Sequence, residues 1–361
     1  MPATMLHAVI MAGGSGKRFW PRSRRQTPKQ LLRIAGQRTM IEETVARVRG
    51  LVPPSRVHVL TNASTVAPIR KLLPAVPPKQ IVGEPAGRDT TAALGLGAVL
   101  VAAQNPEAVM ICLPADHVIR PAAAFRRTVA AAAEAARKHG GLYVFGVRPT
   151  HPATGYGYVK RGARERSVRG IPVHRVERFV EKPDRATAAR YLSAGDYFWN
   201  SGIFCWRARD LLNEIGLYRP EIGHALGRIA AAVGTKRERT VLEREFPKIE
   251  RISIDYAVME KSPEVRMIEA TWEWDDVGSW SSVAPYLKRD AWGNAVAGKH
   301  RHVDTENCIV LADGHLIATV GVRDLIIVRT PDATLICHRD RAQDVKKLVD
   351  LLEEEGLEDL L

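Results

Sequence analysis

Residues 7–12 form a short apolar run, and glycines and then a proline follow it closely. This is the pattern of a strand buried on both faces that opens into a loop at the end of a parallel sheet. Apolar positions at helical spacing predict a helix over 40–51, with Ile41, Val45 and Val48 on one face. Further helices are predicted over 66–73, 92–103 and the alanine-rich stretch 125–138, and strands over 57–60, 80–82, 109–113 and 143–145. Strands alternating with helices argue for an α/β fold with a doubly wound, mixed but mainly parallel sheet. In such a sheet the site lies beyond the carboxyl ends of the strands.

The second half departs from that alternation. Residues 151–158 read as a Gly/Pro/Tyr loop and 175–180 as a strand, with helices over 186–193, 210–215 and 225–233. Beyond a boundary placed near 285–293 come short strands at 308–311, 317–320, 325–328 and 334–337, separated by Gly or Asp turns. The chain then ends in an amphipathic helix over 342–355. The expected organisation is a large domain over 1–287 and a small β-rich domain over 288–361. Val345, Leu348 and Leu352 share a face of the last helix, which suits a homodimer contact or a cover over the strands. Covering is the reading taken.

Charge narrows the class of partner. The 361 residues carry a formal net charge of +13, which points to an anion: nucleic acid, acidic membrane or phosphorylated metabolite. Aromatics make up only 6%, and none of the RNA-recognition, KH or zinc-finger patterns interleaves them with the basic residues. Nucleotides are therefore expected as partners rather than polynucleotides. Cys112, Cys205, Cys308 and Cys337 are far apart in apolar runs without a Cys-x-x-Cys, as expected of buried thiols in a cytoplasmic protein. The start of the chain lacks a signal-peptide layout, no apolar run approaches ~20 residues, and no membrane association is expected.

The chemistry concentrates after the first strand. Gly13, Gly14 and Gly16 let the backbone curl close to a ligand, with N–H groups able to face anionic oxygens. From Lys17 to Arg38 there are eight Lys or Arg and no Asp or Glu, so the sequence reads as bare amides followed by unneutralised cations. That is a place for phosphate. A Walker loop needs Ser or Thr after Gly16-Lys17 and finds Arg18, and a dinucleotide fingerprint starting at Gly14 finds Phe19 in place of its last glycine or alanine. What remains is Gly-Gly-Ser-Gly-x-Arg-x-x-Pro followed by Pro28-Lys29-Gln30. This closely resembles the signature of sugar-1-phosphate nucleotidyltransferases, and Phe19-Trp-Pro-x-Ser-Arg24 resembles their mannose-1-phosphate guanylyltransferase branch.

The resemblance extends through six ordered motifs from residue 7 to about 285, and it implies roles for individual residues. Gly13, Gly14, Ser15 and Gly16 would cradle the nucleotide, with Arg18 and Lys29 over its triphosphate. Glu84-Pro-Ala-Gly-Arg88 resembles the purine-contacting loop and nominates Glu84 and Arg88. Asp116, in Leu113-Pro-Ala-Asp-His117, ends an oily strand; it could cap the next segment, but it resembles the metal-binding aspartate, and His117 is left as structural. Asp276, in Trp274-Asp-Asp-Val-Gly-Ser279, matches the late metal ligand, with its neighbour Asp275 as the alternative. Glu181 and Lys182 of Phe179-Val-Glu-Lys-Pro183, with Asn200 of Trp199-Asn-Ser-Gly202, would meet the sugar phosphate, and Gly146, Tyr156 and Gly157 would line the hexose pocket. Asp255 falls in another family-like stretch and equally suits a helix cap. Arg22, Arg24 and Arg25 read as solvated charge.

The implied fold is a Rossmann-like nucleotidyltransferase domain with a β-helix-like C-terminal cap. The implied reaction joins mannose 1-phosphate and GTP to give GDP-mannose and pyrophosphate, with Mg²⁺ as cofactor. A sibling enzyme using another base or hexose, a catalytically silent nucleotide-sugar sensor and a basic nucleic-acid binder are the rival readings.

Overall fold

A computed structural model describes residues 6–361 and divides the chain into two compact units. The first unit runs up to Gly13 and then takes in Thr44–Ala115 and Ile119–Trp274. The second takes in Gly14–Glu43, Asp116–Val118 and Asp275–Leu361. The glycine signature after Gly13 thus belongs to the same compact unit as the C-terminal strands, although most of the first unit's sequence lies between them.

In chain order the strands are β1 (Leu6–Ala12), β2 (Val57–Asn62), β3 (Ile81–Glu84), β4 (Val109–Pro114), β5 (Val118–Arg120), β6 (Leu142–Val147), β7 (Tyr158–Val168), β8 (Ile171–Val180), β9 (Tyr197–Arg207) and β10 (Val265–Glu269). After β11 (Glu273–Asp275) and β12 (Lys288–Arg289) come β13 (Ala295–Val303), β14 (Ile309–Val320), β15 (Leu325–Arg329) and β16 (Thr334–His338). The helices are α1 (Met40–Val48), α2 (Val66–Leu72), α3 (Asp89–Ala102), α4 (Ala122–His139), α5 (Arg185–Ala194), α6 (Ala208–Tyr218), α7 (Pro220–Ala230), α8 (Glu238–Glu245) and α9 (Val345–Glu354).

The first unit is built on a nine-stranded sheet in the order β3-β2-β1-β4-β9-β6-β10-β8-β7. Its β3-β2-β1-β4 side is parallel throughout, with Ala8 of β1 opposite Val57 on one flank and Ile111 on the other. Ala8, Val9 and Ile10 are wholly buried, as the unbroken apolar run predicts for a central parallel strand. The sheet is mixed, as expected, but its antiparallel share is larger than the sequence suggests: β9 runs against β4, β6 and β7, and β8 runs against β7 and β10. Helices α3, α6 and α7 bury Leu94, Ala98, Leu211 and Leu226 in one cluster with Val9, Met110 and Phe204. Each large apolar side chain there contributes roughly 1.5–3 kcal/mol by leaving water.

In the second unit β12-β13-β14-β15-β16 form one sheet, with β13, β14 and β15 parallel and both outer pairings antiparallel. The predicted strands 308–311 and 317–320 are one continuous strand, β14. The core of this unit joins Ile309, Leu311, Ile326 and Val328 to Phe19, Trp20 and Trp280. Phe19 and Trp280 meet at 5.0 Å between ring centroids, and the Trp280 indole N–H donates to the Trp20 carbonyl at 2.9 Å. Helix α9 lays Val345 and Val349 on the same core. The aromatic pair in the signature is therefore an anchor that holds the glycine loop to the C-terminal strands.

Candidate active site

The glycine loop turns at Gly16, whose φ of +66° lies in the left-handed region. A 3₁₀ turn over Lys17–Phe19 follows, closed by the Phe19 N–H on the Gly16 carbonyl at 2.8 Å. The Ser23 hydroxyl donates to the same carbonyl at 2.8 Å, a support that its place in the signature does not announce. A side chain at Gly16 would start 2.8 Å from the backbone nitrogen of Lys29, so glycine here permits the close approach of Lys29. Gly16→Ala is expected to cost roughly 1–3 kcal/mol in stability and to lower activity by displacing Lys29. Thermal melts and steady-state rates check this, and a variant unchanged in both contradicts it.

Lys29 is 6% exposed, and its ammonium is fixed from two directions. It donates to Asp116 Oδ2 at 2.8 Å and to the Asp276 main-chain carbonyl at 2.6 Å. Burial on its own would push the Asp116 carboxyl up, but the charges of Lys29 and His117 and the hydrogen bond from Lys29 outweigh it and hold Asp116 below the usual carboxylate range. Asp116 is thus ionised at neutral pH. His117 Nε2 lies 3.9 Å from Asp116 Oδ1. A cavity of about 330 Å³ is lined by Ser15, Gly16, Lys17, Arg18, Lys29, Asp116 and Asp276 among others.

Geometry separates the two candidate late aspartates. Asp275 Oδ1 accepts the Val277 N–H at 2.7 Å and Oδ2 accepts the Tyr286 hydroxyl at 2.8 Å, so both its oxygens hold local structure. Asp276 is the one that lines the cavity with Asp116. Among the described residues no cluster of three or more His, Cys, Asp or Glu is arranged to cage a metal. Two carboxylates with hard oxygens suit Mg²⁺, which keeps waters and takes substrate phosphates as its other ligands.

The reading of the signature's cations as unneutralised requires correction. Lys17 Nζ pairs with Asp350 at 2.7 Å and Glu353 at 3.0 Å, Arg25 with Glu353 at 2.7 Å and also with Glu358, and Arg24 with Asp332 at 3.0 Å. Locally there is no acid to neutralise these cations; the partners come from the C-terminal end of the chain.

Apart from Gly14, the remaining predicted residues lie in the first unit, in two places. Near β3, Glu84 is buried, and burial pushes its carboxyl up to about 7. Gly13 lies close to it, a side chain at Gly13 starting 3.7 Å from Glu84 Oε2, and the Gly13 carbonyl accepts from Asn62 Nδ2 at 3.0 Å. Arg88 sits just before α3 with its Nε buried and without a hydrogen-bond partner. Gly14, at the start of the second unit, is exposed.

The second place gathers Gly157, Glu181, Lys182, Asn200 and Asp255. Asn200 Nδ2 donates to Asp255 Oδ1 at 2.9 Å, its backbone N–H donates to the Gly157 carbonyl at 2.8 Å, and it pairs in register with Gly146. A side chain at Gly157 would strike the Glu181 carboxylate. Glu181 is bonded to the ammonium of Lys182, whose backbone is itself in the left-handed region at φ +46°. Tyr156 packs edge-on to Trp199 and Trp274, at 5.2 and 5.0 Å between ring centroids. Gly146 is packed against Met267 and Phe198, so its missing side chain answers to sheet packing.

Asp255 is pushed up to about 7, first by burial and then by the facing Glu181 carboxylate. An unfolded Asp releases its proton near pH ~4, and the native one keeps it until about pH 7. The unfolded state therefore binds fewer protons across that window, and stability falls as pH rises through it. Asp255→Asn is expected to lose part of that fall when denaturant unfolding is compared at about pH 4.5 and pH 8. Equal falls in the two proteins contradict the assignment.

Residues 7–291 match the family model described as nucleotidyl transferase, and residues 298–352 match that of a mannose-phosphate isomerase/GMP-like beta-helix domain. The mannose-1-phosphate guanylyltransferase of Escherichia coli K12 is 39% identical over 99% of the chain and 75% of its own length. The xanthan biosynthesis protein XanB of Xanthomonas campestris pv. campestris B100 is 40% identical over 96% of the chain and 73% of its own length. A solved structure described as a mannose-1-phosphate geranyltransferase, from Thermus thermophilus, superposes with a TM-score of 0.87 at 35% identity. It covers 97% of this chain and 99% of its own. No helix among the described residues is long and apolar enough to cross a membrane.

Proposed function

Because the chain belongs to the nucleotidyl transferase family, within its mannose-1-phosphate guanylyltransferase branch, we propose that it transfers GMP from GTP to α-D-mannose 1-phosphate. The products are GDP-mannose and pyrophosphate. The observation that carries this reading is the bonding of Lys29 to Asp116 in a cavity that Arg18 and Asp276 also line. That lining offers cations to phosphate oxygens and carboxylates to a hard metal ion. A geranyl group, named for the Thermus neighbour, would call instead for an apolar bed.

In the reaction an oxygen of the sugar phosphate attacks the α-phosphorus of GTP. A new P–O bond forms as the bond to the β-phosphate bridging oxygen breaks, and pyrophosphate carries away the electron pair. The attacking phosphate is largely dianionic at neutral pH, with a second pKa of about 6, so no side chain has to remove a proton. The work left to the protein is to hold polyanions in line against their repulsion. Arg18 and Lys29 are assigned to the triphosphate, the Glu181–Lys182 pair to a sugar hydroxyl and the sugar phosphate, and Asn200 to a hydroxyl. The unpartnered Nε of Arg88 and the buried Glu84, whose carboxyl is pushed up to about 7, favour a nucleotide contact there. Asp116 and Asp276 are the residues that would hold Mg²⁺, which when bound neutralises phosphate charge.

The four cysteines are free, and three are buried, in keeping with a cytoplasmic setting. The test of function is pyrophosphate release over a grid of GTP, ATP, UTP and dTTP against mannose and glucose 1-phosphates. GTP with mannose 1-phosphate is expected to give the highest kcat/KM. Another pair ahead of it assigns the chain to a sibling activity, and nucleotide binding with no turnover on any pair makes it a sensor.

A further inference from the structure

Helix α9, expected only to cover strands, brings one of its residues to the phosphate cavity. Lys346 lines it together with Gly16, Arg18, Lys29, Asp116 and Asp276. The helix is two-sided: Val345, Leu348, Val349 and Leu352 pack on the core, while Lys346, Asp350 and Glu353 follow one another at i, i+4 and i+7 along a polar stripe. The lower part of that stripe is clamped to the signature. Asp350 and Glu353 hold Lys17, Glu353 also holds Arg25, and the Trp20 indole N–H donates to the Leu360 carbonyl at 2.8 Å. Each exposed pair is individually weak, but together they fix the register of α9 against the Gly16 turn.

Two further cations line the cavity beside Arg18 and Lys29, and they differ in their partners. Lys17 is paired with Asp350 and Glu353 of α9, which offset its charge. Lys346, one helical turn before Asp350, lines the same cavity from α9. We propose that Lys346 is a third phosphate-binding cation, acting beside Arg18 and Lys29 on the β- and γ-phosphates of the nucleotide and on the pyrophosphate they become. The C-terminal helix thereby supplies part of the binding site as well as a cover. This deepens the guanylyl-transfer reading and rests on it for the identity of the phosphates, but an inorganic probe tests it apart from turnover.

The experiment is calorimetric titration of the full-length protein with inorganic pyrophosphate and Mg²⁺, comparing wild type with Lys346→Gln, Lys346→Arg and Lys347→Gln. Lys347 is the control, since it pairs with Asp344 at 2.7 Å and is absent from the cavity lining. Lys346→Gln is expected to weaken pyrophosphate binding about tenfold with an unchanged melting temperature, and Lys346→Arg and Lys347→Gln to stay within about twofold of wild type. In the GTP reaction Lys346→Gln should raise KM for GTP and leave KM for mannose 1-phosphate alone. Binding by Lys346→Gln equal to wild type, or a loss that Lys347→Gln shares, overturns the proposal. If wild type binds pyrophosphate with this dependence on Lys346 but forms no GDP-mannose, the reading of the reaction fails and the phosphate role of Lys346 stands.

Discussion

Asp276→Asn is expected to lower turnover by about a hundredfold, on the order of 3 kcal/mol, and to raise the magnesium concentration needed for half-maximal rate. Its neighbour is expected to behave differently. Asp275 commits both oxygens to the Val277 N–H and the Tyr286 hydroxyl, so Asp275→Asn should cost roughly 1–2 kcal/mol of stability and leave the magnesium dependence in place. Initial rates across a magnesium titration, with a thermal melt of each variant, separate the two. A magnesium shift in Asp275→Asn together with a normal Asp276→Asn would reverse the assignment. The contrast is informative because the two residues are adjacent and chemically identical; the local bonds of Asp275 and the place of Asp276 in the cavity lining distinguish them.

Lys29→Ala should produce a loss of similar size, about a hundredfold in kcat/KM. Two effects add in the same direction. The phosphates lose a fixed ammonium, and Asp116 loses the cation that keeps it ionised, so its carboxyl moves back up toward the range that burial favours. The Asp276 carbonyl also loses its donor. Folding is expected to survive at a cost of about 1–3 kcal/mol, for the two hydrogen bonds of the ammonium and its contact with the Phe19 ring. Lys29→Met separates the effects, since it keeps the bulk of the side chain and removes only the charge. Comparable losses in both variants assign the effect to the ammonium, and near-normal turnover in either removes Lys29 from the reaction.

The parts of the fold legible in the sequence are those where one physical signal dominates. The central strands β1 and β4 are buried on both faces and read as unbroken apolar runs. Helix α3 is buried almost all round and reads just as plainly. The hairpin of β7 and β8 is largely illegible, because β7 carries Lys160, Arg161, Arg164, Glu165 and Arg166 and buries few of its residues, leaving no alternation to detect. Strand β14 reads as two because Asp313-Gly314 looks like a turn; Gly314 does take φ +74°, but the strand runs through it.

For the site, residue types and their spacing locate Lys29, Asp116 and Asp276, which meet around one cavity across 247 positions of sequence. The charge balance of that cavity is not legible. Lys17, Arg24 and Arg25 look alike in an acid-free stretch, and their partners Asp332, Asp350, Glu353 and Glu358 lie more than 300 residues further on. Lys346 is hidden for a related reason: on an amphipathic helix a lysine on the polar face carries no signal until the direction of that face is known. Phe19 and Trp20 show the converse, residues inside a functional signature whose side chains serve the core.

The most direct measurement is a crystal structure of the protein soaked with GTP and Mg²⁺. Triphosphate density in the cavity between Arg18, Lys29 and Lys346, with a metal ion bound by Asp116 and Asp276, is the predicted result. Triphosphate bound elsewhere, with Lys29 still closed on Asp116 and no metal at either aspartate, would contradict it.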